Sequence, residues 1–191
     1  MSSIRITNTE TLYQGKSVLQ KVTYEQTTAE GEVRTLDRDV FKRANATTIL
    51  LYDPQRKTVL LTEQVRVPVL LNNKNGNLLE ACAGLIDEGE LPEHSIIREV
   101  EEETGYRISQ IQKIFEAYSS PGAYTECVHY FLGEYSPELK VSEGGGVEHE
   151  GEDVKNIEIS FQEARQLLSS GKIRDAKTII LLQYAILHNM I

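Results

Sequence analysis

Alternating apolar and polar positions predict β-strands over much of the chain. Residues 18–27 and 32–43 are rich in β-branched side chains and flank a turn at 29–31, which predicts a long hairpin. Because an isolated hairpin is at best marginally stable, we expect it to pack on something else. Further strands are predicted at 47–52, 58–64, 78–83, 111–118, 126–135 and 157–159, with turns or loops at 53–54, 72–77, 120–122 and 137–153.

One predicted helix carries an unusual concentration of glutamate. It runs from Pro92, which suits a first helical turn, to Gly105, which suits the position just past a helix end. At 100° per residue, its apolar arc consists of Ile96, Ile97, Val100 and Thr104. Glu99, Glu102 and Glu103 share the neighbouring arc, where like charges destabilise a helix by roughly 0.2–0.5 kcal/mol per pair. A hard divalent cation would offset that repulsion; the alternative is a solvated acidic face.

Two further helices are predicted near the end of the chain. Ser160 and Glu163 form a capping box that opens a helix ending at Gly171. Asp175 can cap a last amphipathic helix, which runs through Leu187. Strands and helices interleave along the chain, so the predicted class is α/β, with a mixed sheet covered by helices on both faces.

The composition narrows the class of function. The chain has 191 residues, which fits one domain or one domain with a small appendage. It carries 20 Lys and Arg against 29 Asp and Glu, a formal net charge of −9. This charge argues against a broad nucleic-acid or anionic-membrane surface. An anionic substrate would have to be met by a few placed cations and by metal.

Cysteines and histidines give no sign of a metal centre. Cys82 and Cys127 provide no disulfide framework, and both lie in apolar stretches, so we expect buried packing residues. The four histidines show no ligand spacing. No signal-peptide pattern is seen, and a reduced, cytoplasmic setting is the simplest interpretation.

Fixed residues before and within the acidic helix form one long motif. The pattern GX5EX7REUXEEXGU is matched at every fixed position, by Gly84, Glu90, Arg98, Glu99, Glu102, Glu103 and Gly105. This is the Nudix box, so the chain resembles the Nudix hydrolases, which use divalent metal to cleave nucleoside diphosphates linked to a second moiety. The resemblance implies an α/β/α sandwich with a mixed sheet, plus a small N-terminal antiparallel β subdomain.

The resemblance extends beyond the box to the ADP-sugar pyrophosphatase branch, and within it to the GDP-mannose pyrophosphatase group. The segments that carry it lie at 39–43, 46–52, 64–67, 80–85, 120–122, 125–126, 144–148, 150–153 and 173–178. The branch's metal ligands correspond here to Glu99, Glu103, Glu152 and the backbone carbonyl of Ala83. Mg²⁺ is the expected ion, with Mn²⁺ as a substitute, because hard cations prefer oxygen ligands.

Three residues are expected to serve the chemistry. Glu150 resembles the branch's general base, although it lies in an acidic loop and metal alone could activate the water. Glu102 is expected to bind a second metal or to orient its neighbours. Arg98 is expected to fix a box carboxylate by a bidentate pair; the alternative is a surface arginine beside acids, where ion pairs are weak.

Five residues match substrate-binding positions of the branch. Arg66 and Lys177 correspond to the cations that meet the diphosphate. Arg38 and Asp39 on the first hairpin, and Glu126, correspond to other substrate contacts; alternating charges on an exposed strand are the alternative for the first two. In this branch the hairpin comes from a second subunit, which implies a homodimer with shared active sites. We therefore predict a dimerisation subdomain at residues 1–44 and a hydrolase domain at 45–191.

The sequence predicts a Mg²⁺-dependent hydrolase that cleaves GDP-mannose to GMP and mannose 1-phosphate. ADP-ribose, giving AMP and ribose 5-phosphate, is the alternative substrate. Asp37 stands where a basic residue is usual, Lys16 where an aromatic one is usual, and Ala44-Asn45-Ala46 replaces Gly-Asn-Gly. The rivals from other classes are a catalytically silent Nudix module that senses a nucleotide, and a structural or partner-binding domain. The intact box glutamates and the phosphate-binding cations argue against both.

Overall fold

The computed structural model describes residues 3–15, 17–147, 151 and 153–191. The chain divides into two compact units. One lies within Met1–Asn45 and Ala117–Val128, and the other comprises Ala46–Glu116 and His129–Ile191. Among the described residues, no helix has both the length and the apolar character needed to cross a membrane.

The first unit is built on a three-stranded antiparallel sheet. Its strands are β1 (Ser3–Gln14), β2 (Val18–Thr27) and β3 (Val33–Lys42), paired in the order β1-β2-β3. The predicted hairpin is confirmed as β2 and β3, in register from Val18 opposite Lys42 to Thr27 opposite Val33. Strand β1 was not predicted; all 12 of its residues are exposed, so no buried face imposes a regular apolar alternation.

The second sheet has seven strands. They are β4 (Ala46–Asp53), β5 (Thr58–Val65), β6 (Asn77–Glu80), β7 (Ala83–Leu85), β8 (Ile111–Tyr118), β9 (Cys127–Glu134) and β10 (Lys155–Ser160). The main order is β10-β5-β4-β9-β8, with β6 paired to β5 and β7 paired to β4. The single strand predicted at 78–83 is therefore two strands with different neighbours.

Four α-helices accompany this sheet in the described part of the chain. They are α1 (Val67–Asn73), α2 (Pro92–Glu99), α3 (Phe161–Ser169) and α4 (Ala176–Leu187). The seven-residue α1 was missed, because two turns are too short to show helical periodicity. Both predicted caps are confirmed: Ser160 Oγ accepts from the Glu163 N–H at 3.1 Å, and Asp175 Oδ2 accepts from the Thr178 N–H at 2.9 Å.

Strand β4 lies at the centre of the core. Ile49, Leu50 and Leu51 are all 0% exposed, and successive strand residues face opposite sides, so both faces of the sheet are covered. Helices α2 and α4 both contact β4. The predicted α/β class is thus confirmed. Cys82 is buried, as expected, whereas Cys127 is only half-buried, and the two form no disulfide.

Replacing Ile96 tests how much the packing of the acidic helix against the core contributes to the free energy of unfolding. Ile96 is 0% exposed and packs in the cluster with Ile49 and Phe131. Ile96→Ala should lower the free energy of unfolding by about 2–5 kcal/mol, because the lost methyl groups leave a cavity. Leu71→Ala, at a side chain that is 83% exposed, should change it by less than about 0.5 kcal/mol. Equal effects of the two in urea unfolding would contradict this packing.

Candidate active site

Helix α2 presents its apolar arc to the core, as predicted. Ile96, Val100 and Thr104 are 0% exposed, and Ile97 is half-buried. After Glu99 the backbone continues as one π-helical turn, Val100–Thr104. An ideal α-helix was assumed over this stretch, and that assumption was wrong; π-turns are rare and occur often at functional sites. The wider turn leaves Glu99 9% exposed and Glu103 1% exposed.

Arg98 joins three carboxylates. Its Nη1 donates to Glu99 Oε1 and to Glu102 Oε2, at 2.9 Å in both cases. Its Nε and Nη2 donate to the two oxygens of Glu90, at 3.2 and 3.1 Å. These hydrogen bonds hold the pKa of Glu90 below its usual value. The bidentate partner is thus Glu90, a residue that was not among the predicted site residues, although its fixed place in the motif could have indicated it.

Gly84 allows the Glu99 carboxylate to lie against the backbone of β7. A Cβ at Gly84 would come within 2.0 Å of Glu99 Oε1, so any side chain at this position must displace the Glu99 carboxylate. Strand β7 is held by pairing Ala83 with Thr48 of β4. Ser95 Oγ in α2 also donates to the Leu85 carbonyl at 3.3 Å. The geometry therefore places Glu99 against Gly84, the residue that follows the predicted metal ligand Ala83.

A glycine-rich segment joins the acidic loop to the end of the same helix. The N–H of Gly145 donates to the Glu103 carbonyl at 2.8 Å, and that of Gly146 to the Glu102 carbonyl at 3.0 Å. Gly144 has φ +68°, and a Cβ there would lie 2.4 Å from the Glu103 carbonyl oxygen. Val154 N–H donates to the Gly145 carbonyl at 3.0 Å.

The side chain of Asn156 strengthens this junction. Its Nδ2 donates to the carbonyls of Glu103, Thr104 and Glu143, at 3.4, 3.2 and 3.1 Å. An open pocket lies between the acidic helix and the glycine-rich segment, and its lining includes Arg98, Glu102, Ser142 and Gly144. Two predicted site residues, Glu150 and Glu152, lie outside the described residues.

The two predicted diphosphate cations share a buried carboxylate. Arg66 Nε donates to Glu80 Oε2 at 2.7 Å, and Lys177 Nζ donates to Glu80 Oε1 at 3.4 Å. Glu80 is 3% exposed. Lys177 Nζ also donates to Asp175 Oδ1 at 2.8 Å. Sequence reasoning placed Arg66 and Lys177 in one role but did not identify Glu80 as the group that links them.

Burial and charge act against each other at Lys177. Burial alone would lower its pKa, but the charges of Asp175 and Glu80 outweigh that effect, so the pKa lies above its ordinary value. Burial would likewise raise the pKa of Asp175, and the Lys177 charge outweighs it, so that pKa is lowered. Both groups are therefore ionised at neutral pH.

The remaining predicted substrate residues belong to the first unit. Arg38 Nη1 donates to the Asp37 carbonyl at 2.8 Å, and its guanidinium lies 5.9 Å from the centre of the Tyr24 ring. Asp39 lies opposite Lys21 in the β2–β3 pair. Glu126 is an ion-pair partner of Arg43, with 3.6 Å between Oε2 and Nη1.

The donor set of the box fits a hard divalent cation. Glu99 and Glu103 are buried carboxylates one turn apart, and the Gly84 cradle brings Glu99 to the Ala83–Gly84 backbone. Carboxylate and carbonyl oxygens are the ligands that Mg²⁺ prefers. Within the described part of the chain, no three His, Cys, Asp or Glu side chains are already arranged around a common metal position. Arg98 instead occupies the carboxylates of Glu99 and Glu102.

Comparisons with known proteins agree with the motif. A family model described as the NUDIX domain matches residues 42–182. The chain is 46% identical over 167 residues to a GDP-mannose pyrophosphatase of Escherichia coli (strain K12), covering 87% of this chain and 86% of that protein. It is 44% identical over 174 residues to a GDP-mannose pyrophosphatase of Shigella dysenteriae serotype 1 (strain Sd197), covering 91% and 90%.

A solved structure supports the fold. The crystal structure of an ADP compounds hydrolase matches with a TM-score of 0.71 at 16% identity, over 98% of this chain and 97% of that one. This confirms the fold expected from the resemblance.

Substituting Gly84 should reduce activity while the protein still folds. Gly84→Ala places a methyl group where the Glu99 carboxylate lies, so the carboxylate must move and activity should fall by about 10²-fold or more. A Cβ at Gly122 meets no atom within 4 Å, so Gly122→Ala is the matched control and should keep wild-type turnover. Circular dichroism should show both variants folded. Wild-type turnover in Gly84→Ala would show that the contact does not matter.

Proposed function

The chain belongs to the Nudix family of hydrolases, and on that premise we propose that it is a Mg²⁺-dependent pyrophosphatase of nucleoside diphosphate sugars. GDP-mannose is the proposed substrate, and GMP and mannose 1-phosphate are the products. The observation that carries the proposal is the Arg98 cluster, in which Arg98 forms ion pairs with three fixed glutamates of the motif, Glu90, Glu99 and Glu102. The names of the relatives at 44–46% identity support the substrate.

Four groups are proposed to hold the metal. They are Glu99, Glu103, Glu152 and the carbonyl of Ala83, with Mn²⁺ able to replace Mg²⁺. When bound, the cation supplies neutralisation of the diphosphate charge and a lowered pKa of water. The protein's own part is to orient these carboxylates. Arg98 does so for Glu99 through its Nη1 hydrogen bond.

The reaction adds one water across the pyrophosphate. A water oxygen forms a bond to one phosphorus, the bridging P–O bond breaks, and the bridging oxygen leaves with the other phosphate. Glu150 is proposed to take the proton of the attacking water as general base. Glu102, held at 2.9 Å by Arg98, orients its neighbours or binds a second cation. Arg66 and Lys177 bind the diphosphate oxygens as fixed positive charges.

The first unit supports a dimer. Its sheet leaves large apolar side chains exposed, including Ile6 at 66% and Tyr13 at 64%, and none of the strand β1 is buried within one chain. Exposed apolar surface of this kind is typical of interfaces. We propose a homodimer in which the hairpin of each subunit supplies Arg38 and Asp39 to the active site of the other subunit. Glu126 completes the substrate contacts. We propose a cytoplasmic location, in keeping with two cysteines that form no disulfide.

A substrate screen tests the function directly. Purified protein with Mg²⁺ should hydrolyse GDP-mannose with the highest kcat/KM in a panel that includes ADP-ribose, other GDP-sugars and UDP-sugars. A coupled phosphatase releases inorganic phosphate from the monophosphate products, and the Glu103→Gln protein serves as the preparation control. A higher kcat/KM for ADP-ribose would replace the proposed substrate. No hydrolysis of any member would reject the proposal.

Glu103→Gln tests the metal assignment. The substitution keeps the size of the side chain and removes its charge, so turnover should fall by about 10²-fold or more. Glu101→Gln is the matched control, because Glu101 lies on the same turn but pairs with Arg107 at 2.7 Å. Calorimetric titration with Mn²⁺ should show weaker binding for Glu103→Gln alone. Equal Mn²⁺ affinity and turnover in the two variants would contradict the assignment.

Mixing inactive variants tests the shared active sites. Arg38→Ala and Glu103→Gln chains should each have low activity, whereas a heterodimer has one site with both wild-type halves. Statistical exchange makes half of the dimers mixed, so recovery should approach about a quarter of wild-type activity. Exchange shown with labelled subunits but without recovery would assign the hairpin to its own chain. A monomer by sedimentation would reject the dimer.

A further inference from the structure

Glu80 occupies a position that neither the motif nor the proposed mechanism explains. It ends strand β6, is 3% exposed, and uses its two oxygens for two different cations. Arg66 directly precedes helix α1, and Lys177 is the second residue of helix α4. One carboxylate therefore ties together two side chains that come from separate elements of the fold.

The cost of this arrangement indicates a use beyond stability. Removing a carboxylate from water is strongly unfavourable, and a buried ion pair often stabilises a fold no better than apolar residues of the same volume. The cations keep donors to spare. Among the described residues, the Nε of Arg66 is the nitrogen that has a hydrogen-bond partner, at Glu80, while the side chain is 38% exposed. Lys177 gives two of its three protons to Glu80 and Asp175.

We propose that Glu80 is a positioning residue for the diphosphate: it holds Arg66 and Lys177 side by side so that their remaining donors meet the two phosphates of the substrate. The inference rests on the proposed pyrophosphatase function. Planar guanidinium and compact ammonium groups bind phosphate oxygens well only when they are held in place, since both side chains otherwise lose much rotational freedom on binding.

Asp175 cannot take this role alone. Its Oδ2 caps helix α4 through the N–H of Thr178 at 2.9 Å and accepts from Thr178 Oγ1 at 2.7 Å. Thr178 Oγ1 in turn accepts from the Ala81 N–H at 2.7 Å. Asp175 thus fixes the helix to the end of β6, whereas Glu80 is the group in contact with both cations.

The sign of the effect separates positioning from simple charge. A carboxylate near a diphosphate repels it, so if charge alone mattered, neutralising Glu80 would strengthen substrate binding. If Glu80 positions the cations, neutralising it weakens binding. Glu80→Gln should therefore raise KM about tenfold and change kcat by less than about threefold, because contacts equal in ground and transition states appear in KM.

A pH profile gives a second, independent readout. Lys177 faces Asp175 from its own helix start, Glu80 from β6 and Arg66 from the chain before α1. Burial and Arg66 favour the neutral amine, and the two carboxylates oppose them. Removing the Glu80 charge lowers the pKa of Lys177, so the alkaline limb of kcat/KM should move to lower pH in Glu80→Gln. Glu80→Asp keeps the charge and should leave that limb in place.

Glu80→Gln is compared with a charge control, a shorter acid and a double variant, all measured on the whole chain with Mg²⁺ and its best substrate. Glu63→Gln makes the same charge change on β5, opposite Leu79 of β6, and should match the wild type. Glu80→Asp, one methylene shorter, should raise KM by at least about threefold even if Glu80→Gln fails to fold. In the Lys177→Met background, Glu80→Gln should raise KM by a smaller factor than it does in the wild type, because both substitutions remove the same contact.

Each outcome supports or overturns the inference. A KM for Glu80→Gln that equals or falls below that of the wild type overturns it, as does a KM for Glu80→Asp within twofold when Glu80→Gln is unfolded. Additive effects in the double variant would make Glu80 a structural residue only. If the wild type hydrolyses no nucleoside diphosphate sugar, the proposed function itself fails. An active wild type with an unaffected Glu80→Gln leaves that function standing and rejects Glu80 alone.

Discussion

The contact of Arg98 with three carboxylates is the constraint on which the site depends. Three carboxylates within one helix and its leading loop would repel one another, and a single guanidinium with five donors can satisfy all three. Burial increases the energetic cost of losing these hydrogen bonds, since Glu99 is 9% exposed and a buried carboxylate without compensation is strongly disfavoured. The cluster therefore holds these three carboxylates together at the acidic helix through hydrogen bonds to one guanidinium.

Close backbone approach is the second requirement, and it explains why particular positions must lack a side chain. Gly84 leaves room for Glu99 against β7, and Gly144 leaves room for the carbonyl of Glu103. These two contacts tie a strand and a loop to the same turn of helix. The π-helical hydrogen bonding of Val100–Thr104 offers carbonyls to the loop, and the N–H groups of Gly145 and Gly146 take two of them.

Local chemistry was predictable from the sequence, and long-range pairing was not. The caps at Ser160 and Asp175 depend on residues three positions apart, so the spacing alone reveals them. The break between β6 and β7 depends on which neighbour each strand meets, and no local pattern encodes that. The link between Glu80 and Lys177 spans 97 residues of chain. Arg98 and the glutamates could be predicted as one group because they belong to a fixed motif, and the residues of such a motif act together in the folded protein.

An acidic enzyme that binds an anionic substrate must confine its positive charge. The formal net charge of −9 gives no general attraction for a diphosphate, so the attraction has to come from groups at short range. In the proposed mechanism Arg66 and Lys177 are such groups, but each is already compensated by Glu80 or Asp175. Their use thus lies in directed donors more than in net charge. A cation held by the box glutamates would add the net charge, so the two halves of the site are complementary: one supplies charge and the other supplies orientation.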